Sequence, residues 1–356
     1  MKAGSDPATG KQRVLTGTAK SERAAHKLVH ELVTKAASGE VQAADVTLNE
    51  LIDRWLELGG PAEASTRVTY KGYIRNHVTG DIGRLKLSRL RAEDLDRWYS
   101  RLKATGLAPA SIRKCHVIVS GALSQGRRWG WVVANVAELA SPPSVPKPVV
   151  RTPEPDQVRR MLATTAKVDP EFAVYIRLAA VTGARPGEIC GLRWADVGWD
   201  TGEIIVRRRV SRTESAPVLV DLTKTHKTRT VPVDQGTLEA LLRFHASLVE
   251  RAELCGVTLH RDAHLFSSSA DGTVFWQPAS VSRRFRTILH RHGLEHVTLY
   301  SLRHQAATVM IDAGIDAKTV SERLGNSVTT VLTTYTRART AADRAAADLM
   351  GSIYDT

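Results

Sequence analysis

The sequence has few cysteines and no long apolar segment. Its three cysteines, Cys115, Cys190 and Cys255, are odd in number, far apart and without the spacing of a zinc site, which argues against a disulfide framework or a bound metal. No run approaches the roughly 18 apolar residues of a membrane helix. The opening MKAGSDPATGKQR also lacks the apolar core of a signal peptide. We therefore expect a cytoplasmic protein with reduced thiols, no metal and no membrane partner.

Acidic residues are too few to balance the basic ones. The chain has 37 Asp and Glu against 50 Lys and Arg, a net charge of +13, while 42% of its residues are hydrophobic. This composition predicts a folded, basic protein that binds a polyanion such as a nucleic acid. The ordinary alternative is a solvated basic surface, and charge alone does not say which nucleic acid would bind.

Proline is concentrated in one segment, LASPPSVPKPVVRTPEP, which holds six of the 14 prolines and is typical of a semi-rigid linker. A chain of 356 residues also exceeds what one hydrophobic core usually covers. We predict an N-terminal segment over residues 1–44, a helical domain over 45–137, a linker over 138–155 and a C-terminal domain over 156–356.

The first two regions are predicted to be helical after a short hairpin. In TLNELIDRWLEL, apolar residues recur at helical spacing and Thr47 with Glu50 forms a capping-box pattern, which predicts a helix over 47–58. Residues 1–44 are read as a hairpin turning at Pro7–Gly10 and then a helix, with partial disorder as the alternative. The further predicted helices are Ser21–Ala37, Ser65–Val78, Ala92–Lys103 and Pro109–Trp129.

The C-terminal domain is predicted to be mainly helical with a small antiparallel β-sheet. Two helices, Pro155–Ala166 and Pro170–Val181, precede a break at Gly183 and a new helix at Pro186, because proline suits a first helical turn. Three β-branched segments predict one three-stranded antiparallel sheet: Glu203–Val210, Val218–Leu222 and Arg229–Val233. The later predicted helices are Gln235–Glu253, Pro278–His292, Leu302–Ala313, Ala317–Leu324 and Thr340–Met350.

Four motifs follow one another in the C-terminal half: TGARPGEI, TKTHKTRTVPV, SLRH and LGNSVTTVLTTYTR. Their order and spacing resemble the tyrosine recombinase (phage integrase) family. The resemblance implies a two-domain clamp in which a helical core-binding, SAM-like domain and a catalytic domain hold DNA from opposite sides. The segment 1–44 resembles a shortened arm-type DNA-binding domain.

The resemblance assigns the nucleophile to Tyr335, which would form a 3′-phosphotyrosyl bond without ATP, metal or other cofactor. Tyrosine has an ordinary pKa of about 10, so its target must be surrounded by cations. Arg185 and Arg303 match the family arginines that hold the nonbridging phosphate oxygens. Taken singly, Tyr335 would ordinarily be interpreted as a tyrosine packed in a helix. The two arginines would ordinarily be interpreted as surface or ion-paired residues.

Two supporting roles follow from the same resemblance. Lys224 aligns with the hairpin lysine that protonates the leaving 5′ oxygen, and Lys227 is the competing candidate for that role. Glu188 lies one helical turn after Arg185 and is expected to orient it or to stabilise the N-terminus of the helix.

The sequence departs from the family pattern at two positions that usually hold histidine. Tyr300 replaces the histidine of the HxxR motif, and Asn326 replaces the histidine of the LGH motif. A phenol can donate a hydrogen bond but is a poor base near neutral pH, and an amide keeps a donor without titrating. His304 is read as a helix-packing residue rather than a replacement for Tyr300. We expect an active enzyme with altered proton handling.

The predicted function is site-specific recombination by an integrase of a phage or other mobile element. The resemblance implies double-stranded DNA attachment sites as substrate and a homotetramer on DNA. It leaves open whether a directionality factor or a host DNA-bending protein takes part. Two alternatives stay open: a non-catalytic architectural DNA-binding protein, and a type IB-like enzyme that relaxes DNA through the same phosphotyrosine.

Overall fold

The structure is a computed structural model, and it describes residues 2–5, 12–14, 17–19, 21–37, 46–146, 152–221, 228–295, 297–335, 348, 350, 352 and 353. The chain divides into two compact units. The first is Met1–Lys147 with Arg212–Glu214, and the second is Pro148–Ser211 with Ser215–Thr356.

The first unit begins with the predicted hairpin and helix. Strands β1 (Lys2–Ser5) and β2 (Gln12–Val14) pair antiparallel, and α1 covers Glu22–Ala37. The predicted turn at Pro7–Gly10 lies outside the described residues. The two strands and the helix are confirmed.

Four helices follow in the first unit, as predicted: α2 (Leu48–Leu58), α3 (Ala64–Tyr73), α4 (Ala92–Ala104) and α5 (Pro109–Arg128). The capping box is present, since the Glu50 N–H donates to Thr47 Oγ1 at 3.3 Å and the Thr47 N–H donates to Glu50 Oε2 at 2.6 Å. After α3 the chain continues through a π-helical turn, Ile74–Val78. Leu51 and Trp98 are fully buried at the centre of this unit.

The second unit is mainly helical and has its own core around Phe172, Tyr175, Phe266 and Phe285. Its helices are α6 (Pro155–Val168), α7 (Pro170–Thr182), α8 (Pro186–Cys190), α9 (Gln235–Leu254), α10 (Pro278–Arg291), α11 (Leu299–Asp312), α12 (Ala317–Leu324) and α13 (Val328–Tyr335). Apart from residues 348 and 350, the predicted helix Thr340–Met350 lies outside the described residues.

One helix begins earlier than predicted. Helix α11 starts at Leu299 rather than Leu302, because Thr298 caps it: its Oγ1 accepts the N–H of Ser301 at 3.2 Å. Tyr300 therefore lies in the first turn of α11.

The prediction of a single three-stranded sheet is wrong. Five strands, β3 (Val197–Gly198), β4 (Glu203–Val206), β5 (Arg208–Ser211), β6 (Val218–Asp221) and β7 (Arg229–Pro232), form two antiparallel sheets, one ordered β3-β4-β7 and one pairing β5 with β6. The predicted strand 203–210 is interrupted at Arg207. Successive side chains of a regular strand point to opposite faces, yet Arg207 and Arg208 both bind the buried carboxylate of Asp196. The backbone must leave the strand geometry for both to reach it.

Across the described part of the chain, the helices are all too short or too polar to cross a membrane.

Candidate active site

A groove of about 1130 Å³ lies in the second unit, where the turn before α8, strand β7 and the C-terminus of α12 meet. Basic and polar side chains dominate its lining. The residues that matter below are Arg185, Glu188, Arg229, Arg323, Gly325 and Asn326.

The turn between α7 and α8 brings Arg185 to this groove. Helix α7 ends at Gly183, whose φ of 62° is left-handed, and a Cβ there would lie 2.4 Å from Leu324 Cδ2. Glycine is therefore required both by the backbone and by the packing. The buried Tyr175 hydroxyl donates to the Pro186 carbonyl at 3.0 Å and fixes the start of α8. Arg185 is the residue just before α8, and its side chain is 38% exposed.

Glu188 performs both roles that the sequence suggested for it. Its carboxylate accepts the backbone N–H of Arg185 at 2.9 Å and the Arg185 Nη1 at 3.0 Å. Arg229 adds a bond from Nη2 at 2.7 Å. Burial alone would raise the pKa of Glu188, but the hydrogen bonds and charges of Arg229 and Arg185 outweigh it and lower the pKa. The carboxylate stays ionised and supports the guanidinium of Arg185.

Arg303 reaches the same place from α11. Its side chain is buried, with 1% of the residue exposed, and Nη1 donates to the Gly183 carbonyl at 2.7 Å. Burial, followed by the charge of Arg185, lowers the pKa of Arg303 to about 10. The guanidinium is still charged at neutral pH.

Asn326 joins the two arginines. It follows Gly325, the left-handed residue that ends α12 with a φ of 65°. Asn326 Oδ1 accepts Arg185 Nη2 at 2.8 Å and Arg303 Nη2 at 2.7 Å. Because guanidinium groups only donate, the amide presents its oxygen to them. The sequence suggested a donor at this position, whereas here Asn326 acts as an acceptor.

Tyr300 and His304 lie one turn apart on α11. Tyr300 is 45% exposed, and its ring packs edge-on against His304 with 4.9 Å between the ring centroids. His304 is buried, as expected for a helix-packing residue. Burial and the charge of Arg303 lower the pKa of His304, so the imidazole is neutral near pH 7.

Helix α13 carries the chain from Asn326 to Tyr335. Ser327 Oγ accepts the Thr330 N–H at 3.1 Å at the start of this helix, and the fully buried Val331 packs among residues of α11 and α12. The helix ends at Tyr335. The side chain of Tyr335 and the residues Lys224 and Lys227 lie outside the described residues.

The profile of the phage integrase family matches residues 152–342, more than half of the chain. This chain belongs to the phage integrase family. A second profile, of the phage integrase N-terminal SAM-like domain, matches residues 47–103. The family resemblance predicted from the four motifs is confirmed.

Two relatives of this integrase-family chain cover most of its length. It is 26% identical over 347 residues to an integrase of Streptomyces ambofaciens, covering 92% of the chain and 85% of that protein. It is 23% identical over 308 residues to a tyrosine recombinase XerC-like protein of Caldanaerobacter subterraneus subsp. tengcongensis, covering 81% of the chain and 78% of that protein.

Solved structures of integrases share the fold. The Tn1549 transposon integrase in complex with transposon right-end DNA superposes with a TM-score of 0.74 at 18% identity, covering 86% of this chain and all of that one. A lambda integrase tetramer bound to a Holliday junction superposes with a TM-score of 0.59 at 17% identity, covering 92% of this chain and 90% of that one. The predicted fold class, mainly helical with a small amount of antiparallel β-structure, is confirmed, although that β-structure is not the single predicted sheet.

Sequence reasoning missed one residue of this integrase-family site, Arg229. Along β7 the residues alternate between buried and exposed, and Arg229 occupies a buried position together with Val231. An arginine at a core-facing position of a strand is unusual. The alternation of buried and exposed positions in RTVP is the signal that could have identified Arg229 as a buried residue.

Proposed function

We propose that this chain is a site-specific tyrosine recombinase that cleaves and rejoins DNA. The Tyr335 hydroxyl releases its proton to solvent as its oxygen attacks a DNA phosphorus, the bond between that phosphorus and the 5′ oxygen breaks, and a 3′-phosphotyrosyl bond forms. Lys224 gives its proton to the leaving oxygen, producing a free 5′ hydroxyl. Rejoining reverses these steps with the 5′ hydroxyl of a partner strand, so no external energy source is consumed.

The observation that carries this proposal is the oxygen shared by two arginines. Asn326 Oδ1 receives a hydrogen bond from Arg185 and another from Arg303. A nonbridging phosphate oxygen placed there would receive the same two bonds, now charge-assisted on both sides. Negative charge on those oxygens must be stabilised in the transition state of phosphoryl transfer, and preorganised donors supply this.

The two missing histidines limit proton transfer rather than charge stabilisation. Asn326 has no titrating proton, and the phenol of Tyr300 is a poor base near pH 7. Because Tyr300 precedes Arg303 by one helical turn, we propose that its hydroxyl donates a hydrogen bond to the bound phosphate. Catalysis then rests mainly on the cations Arg185, Arg303 and Lys224.

The wider assembly is proposed by analogy with the relatives. We propose that residues 45–137 bind the core DNA site, that residues 156–356 catalyse, with 138–155 linking them, and that residues 1–44 contact arm-type DNA. The relatives include a transposon integrase bound to transposon-end DNA and a lambda integrase tetramer on a Holliday junction. These support a substrate of double-stranded attachment sites, a homotetrameric synapse, and integration or excision of a phage genome or another mobile element.

The decisive experiment traps the covalent intermediate. The protein is incubated with sheared DNA from its source organism, and DNA that remains attached after denaturation is sequenced to define the cleaved core. A nicked duplex with that core then serves as a suicide substrate. We expect an adduct that disappears in Tyr335→Phe.

The control and the outcomes separate the alternatives. Tyr300→Phe, tested beside it, should still give an adduct, though more slowly, because it also loses a phenol hydroxyl but is not the proposed nucleophile. No adduct with the unmutated protein would overturn the proposal in favour of an architectural role. Relaxation of supercoiled DNA without recombinant product would indicate a type IB-like enzyme.

A further inference from the structure

Arg229 is the first residue of β7, and its side chain binds the same carboxylate as Arg185. It is 9% exposed, and its guanidinium binds Glu188 through both terminal nitrogens, Nη2 to Oε2 at 2.7 Å and Nη1 to Oε1 at 3.3 Å. This is the two-pronged geometry with which a guanidinium fixes both the position and the orientation of a carboxylate. Glu188 therefore cannot rotate without breaking these bonds.

The third nitrogen of Arg229 reaches another element. Its Nε donates to the Arg323 carbonyl at 2.8 Å, in the last turn of α12. The guanidinium also packs against Gly325, where an added Cβ would lie 2.9 Å from Nη1. Arg229 thus fixes the end of α12 and the turn that carries Asn326.

The groups that hold Arg185 are those that Arg229 contacts or packs against. Arg185 donates to the carboxylate of Glu188 at 3.0 Å, to the Gly325 carbonyl at 3.3 Å and to Asn326 Oδ1 at 2.8 Å. Arg229 binds the first of these directly and packs against the turn that carries the other two. Arg185 itself is the more exposed arginine of the pair and needs such support.

We infer that Arg229 is a positioning residue for cleavage, which sets the place of the Arg185 guanidinium by holding Glu188 and the Gly325–Asn326 turn together. It acts through these neighbours and does not itself touch the phosphate. The inference rests on the proposed function, since it concerns the rate of the same cleavage.

The expected effect follows from the geometry that phosphoryl transfer requires. A displacement of about 1 Å at a catalytic group can lower the rate about 100-fold. Arg229→Met should therefore slow adduct formation about 100-fold. It should change the DNA dissociation constant less than about threefold, because most binding contacts are made elsewhere along the DNA. Arg229→Lys keeps the charge but lacks the forked guanidinium, so its rate of adduct formation should lie between those of Arg229→Met and the unmutated protein.

The experiment measures single-turnover adduct formation on the suicide substrate, noncovalent DNA binding and thermal unfolding for each variant. Arg208→Met is the matched control, because Arg208 is another largely buried arginine of this unit but binds Asp196 rather than Glu188. The control should lose stability and keep its cleavage rate at temperatures where it is folded. Equal cleavage by Arg229→Met and the unmutated protein, both folded, would overturn the inference.

A second comparison keeps the test valid if Arg229→Met does not fold. In Arg229→Met the buried charge of Glu188 is balanced by Arg185 alone. The double variant Glu188→Gln with Arg229→Met removes that charge, so it should fold better than Arg229→Met alone. We expect it to cleave at least about tenfold more slowly than Glu188→Gln alone, because the Gly325–Asn326 turn has lost its support. Equal rates for these two would also overturn the inference. Adduct formation by the unmutated protein tests the proposed function separately.

Discussion

Arg185 and Arg303 donate to one oxygen atom, Oδ1 of Asn326, at 2.8 and 2.7 Å. Two guanidinium groups converge there on a neutral acceptor, although their like charges repel. That repulsion, after burial, contributes to the lowered pKa of Arg303. The charge of Glu188 offsets part of this repulsion. An anion bound between the two guanidinium groups would offset more of it than the neutral amide does.

Changing Asn326 should reveal that preference. Asn326→Asp supplies a fixed carboxylate between the arginines, so it should raise the melting temperature and slow cleavage more than about 100-fold, because the phosphate must displace a charge-assisted ion pair. Adduct formation and thermal unfolding measure the two effects. An aspartate variant that cleaves as fast as the unmutated protein would refute this reading of the site.

Asn326→Ala should lower the stability of the protein, whereas Asn326→Asp should raise it. The alanine substitution removes an acceptor of the buried Arg303 guanidinium and should cost about 1–3 kcal/mol of stability, since a buried donor loses its partner. Inorganic phosphate should restore much of that loss by binding the folded state. Thermal unfolding is compared in phosphate and in chloride at equal ionic strength. Equal stabilisation of the alanine variant by the two salts would contradict phosphate binding between the arginines.

Gly325 is predicted to be essential for cleavage because a side chain there would contact Arg229. Gly314 serves as the control. Both Gly325 and Gly314 have left-handed φ angles, 65° and 87°, but a Cβ at Gly325 would meet Arg229 Nη1 at 2.9 Å, whereas one at Gly314 meets nothing within 4 Å. Each alanine variant should lose about 1–2 kcal/mol from backbone strain. Only Gly325→Ala should also lose cleavage at temperatures where it is folded. If both variants keep their cleavage rate, contact with Arg229 is unimportant.

Local signals in the sequence predicted most of the helices. The capping box of Thr47 and Glu50, the proline at Pro186 and the glycine at Gly183 act within a few residues, so their effects can be read from spacing. The pairing of Arg185 with Arg303 came from the resemblance to a family, not from spacing. The structure adds how they meet, at Asn326.

Contacts between distant segments could not be predicted in this way. Arg229 binds Glu188 across 41 positions and the Arg323 carbonyl across 94. The interruption at Arg207 depends on the buried carboxylate of Asp196, which attracts two successive arginines. No propensity or period encodes such a partner, because it exists only once the chain has folded.

Acid should destabilise the second unit through Glu188. Its pKa is lowered from a usual value of 4.5, so its contribution is complete above about pH 4.5 and is lost as the pH falls through the lower pKa of the folded state. The stability difference between the unmutated protein and Glu188→Gln should therefore shrink below about pH 4.5. Urea unfolding at several pH values measures it.

The control for this pH effect is Asp156→Asn. Asp156 pairs with Arg159 on the surface, where the two side chains are 72% and 79% exposed. Exposed pairs contribute less than about 1 kcal/mol, so this variant should stay close to the unmutated protein throughout. A Glu188→Gln difference that is independent of pH would contradict the assignment.

Thiol reactivity should separate the three cysteines. Burial raises the pKa of Cys190 to about 12 and that of Cys115 to about 11, and both are buried, whereas Cys255 is exposed. Since the thiolate is the reactive form, only Cys255 should react rapidly with a disulfide reagent in the folded protein. All three should react after unfolding in urea. Rapid labelling that persists in Cys255→Ser would show that a second thiol is accessible.

Replacing Tyr300 tests the proposed hydrogen bond to phosphate. Tyr300→Phe keeps the ring that packs against His304 at 4.9 Å between centroids, and removes only the hydroxyl. One lost hydrogen bond to a charged group is worth about 1.5–3 kcal/mol, so cleavage should slow at least about tenfold with stability unchanged. Tyr300→His restores a titrating group and should add an inflection to the pH–rate profile, because histidine, unlike tyrosine, has an ordinary pKa of about 6.5. Single-turnover cleavage between about pH 5 and 8 detects both effects. Unchanged cleavage in Tyr300→Phe would mean that the exposed phenol does not contact the phosphate, and that the two arginines bind it without a third donor from α11.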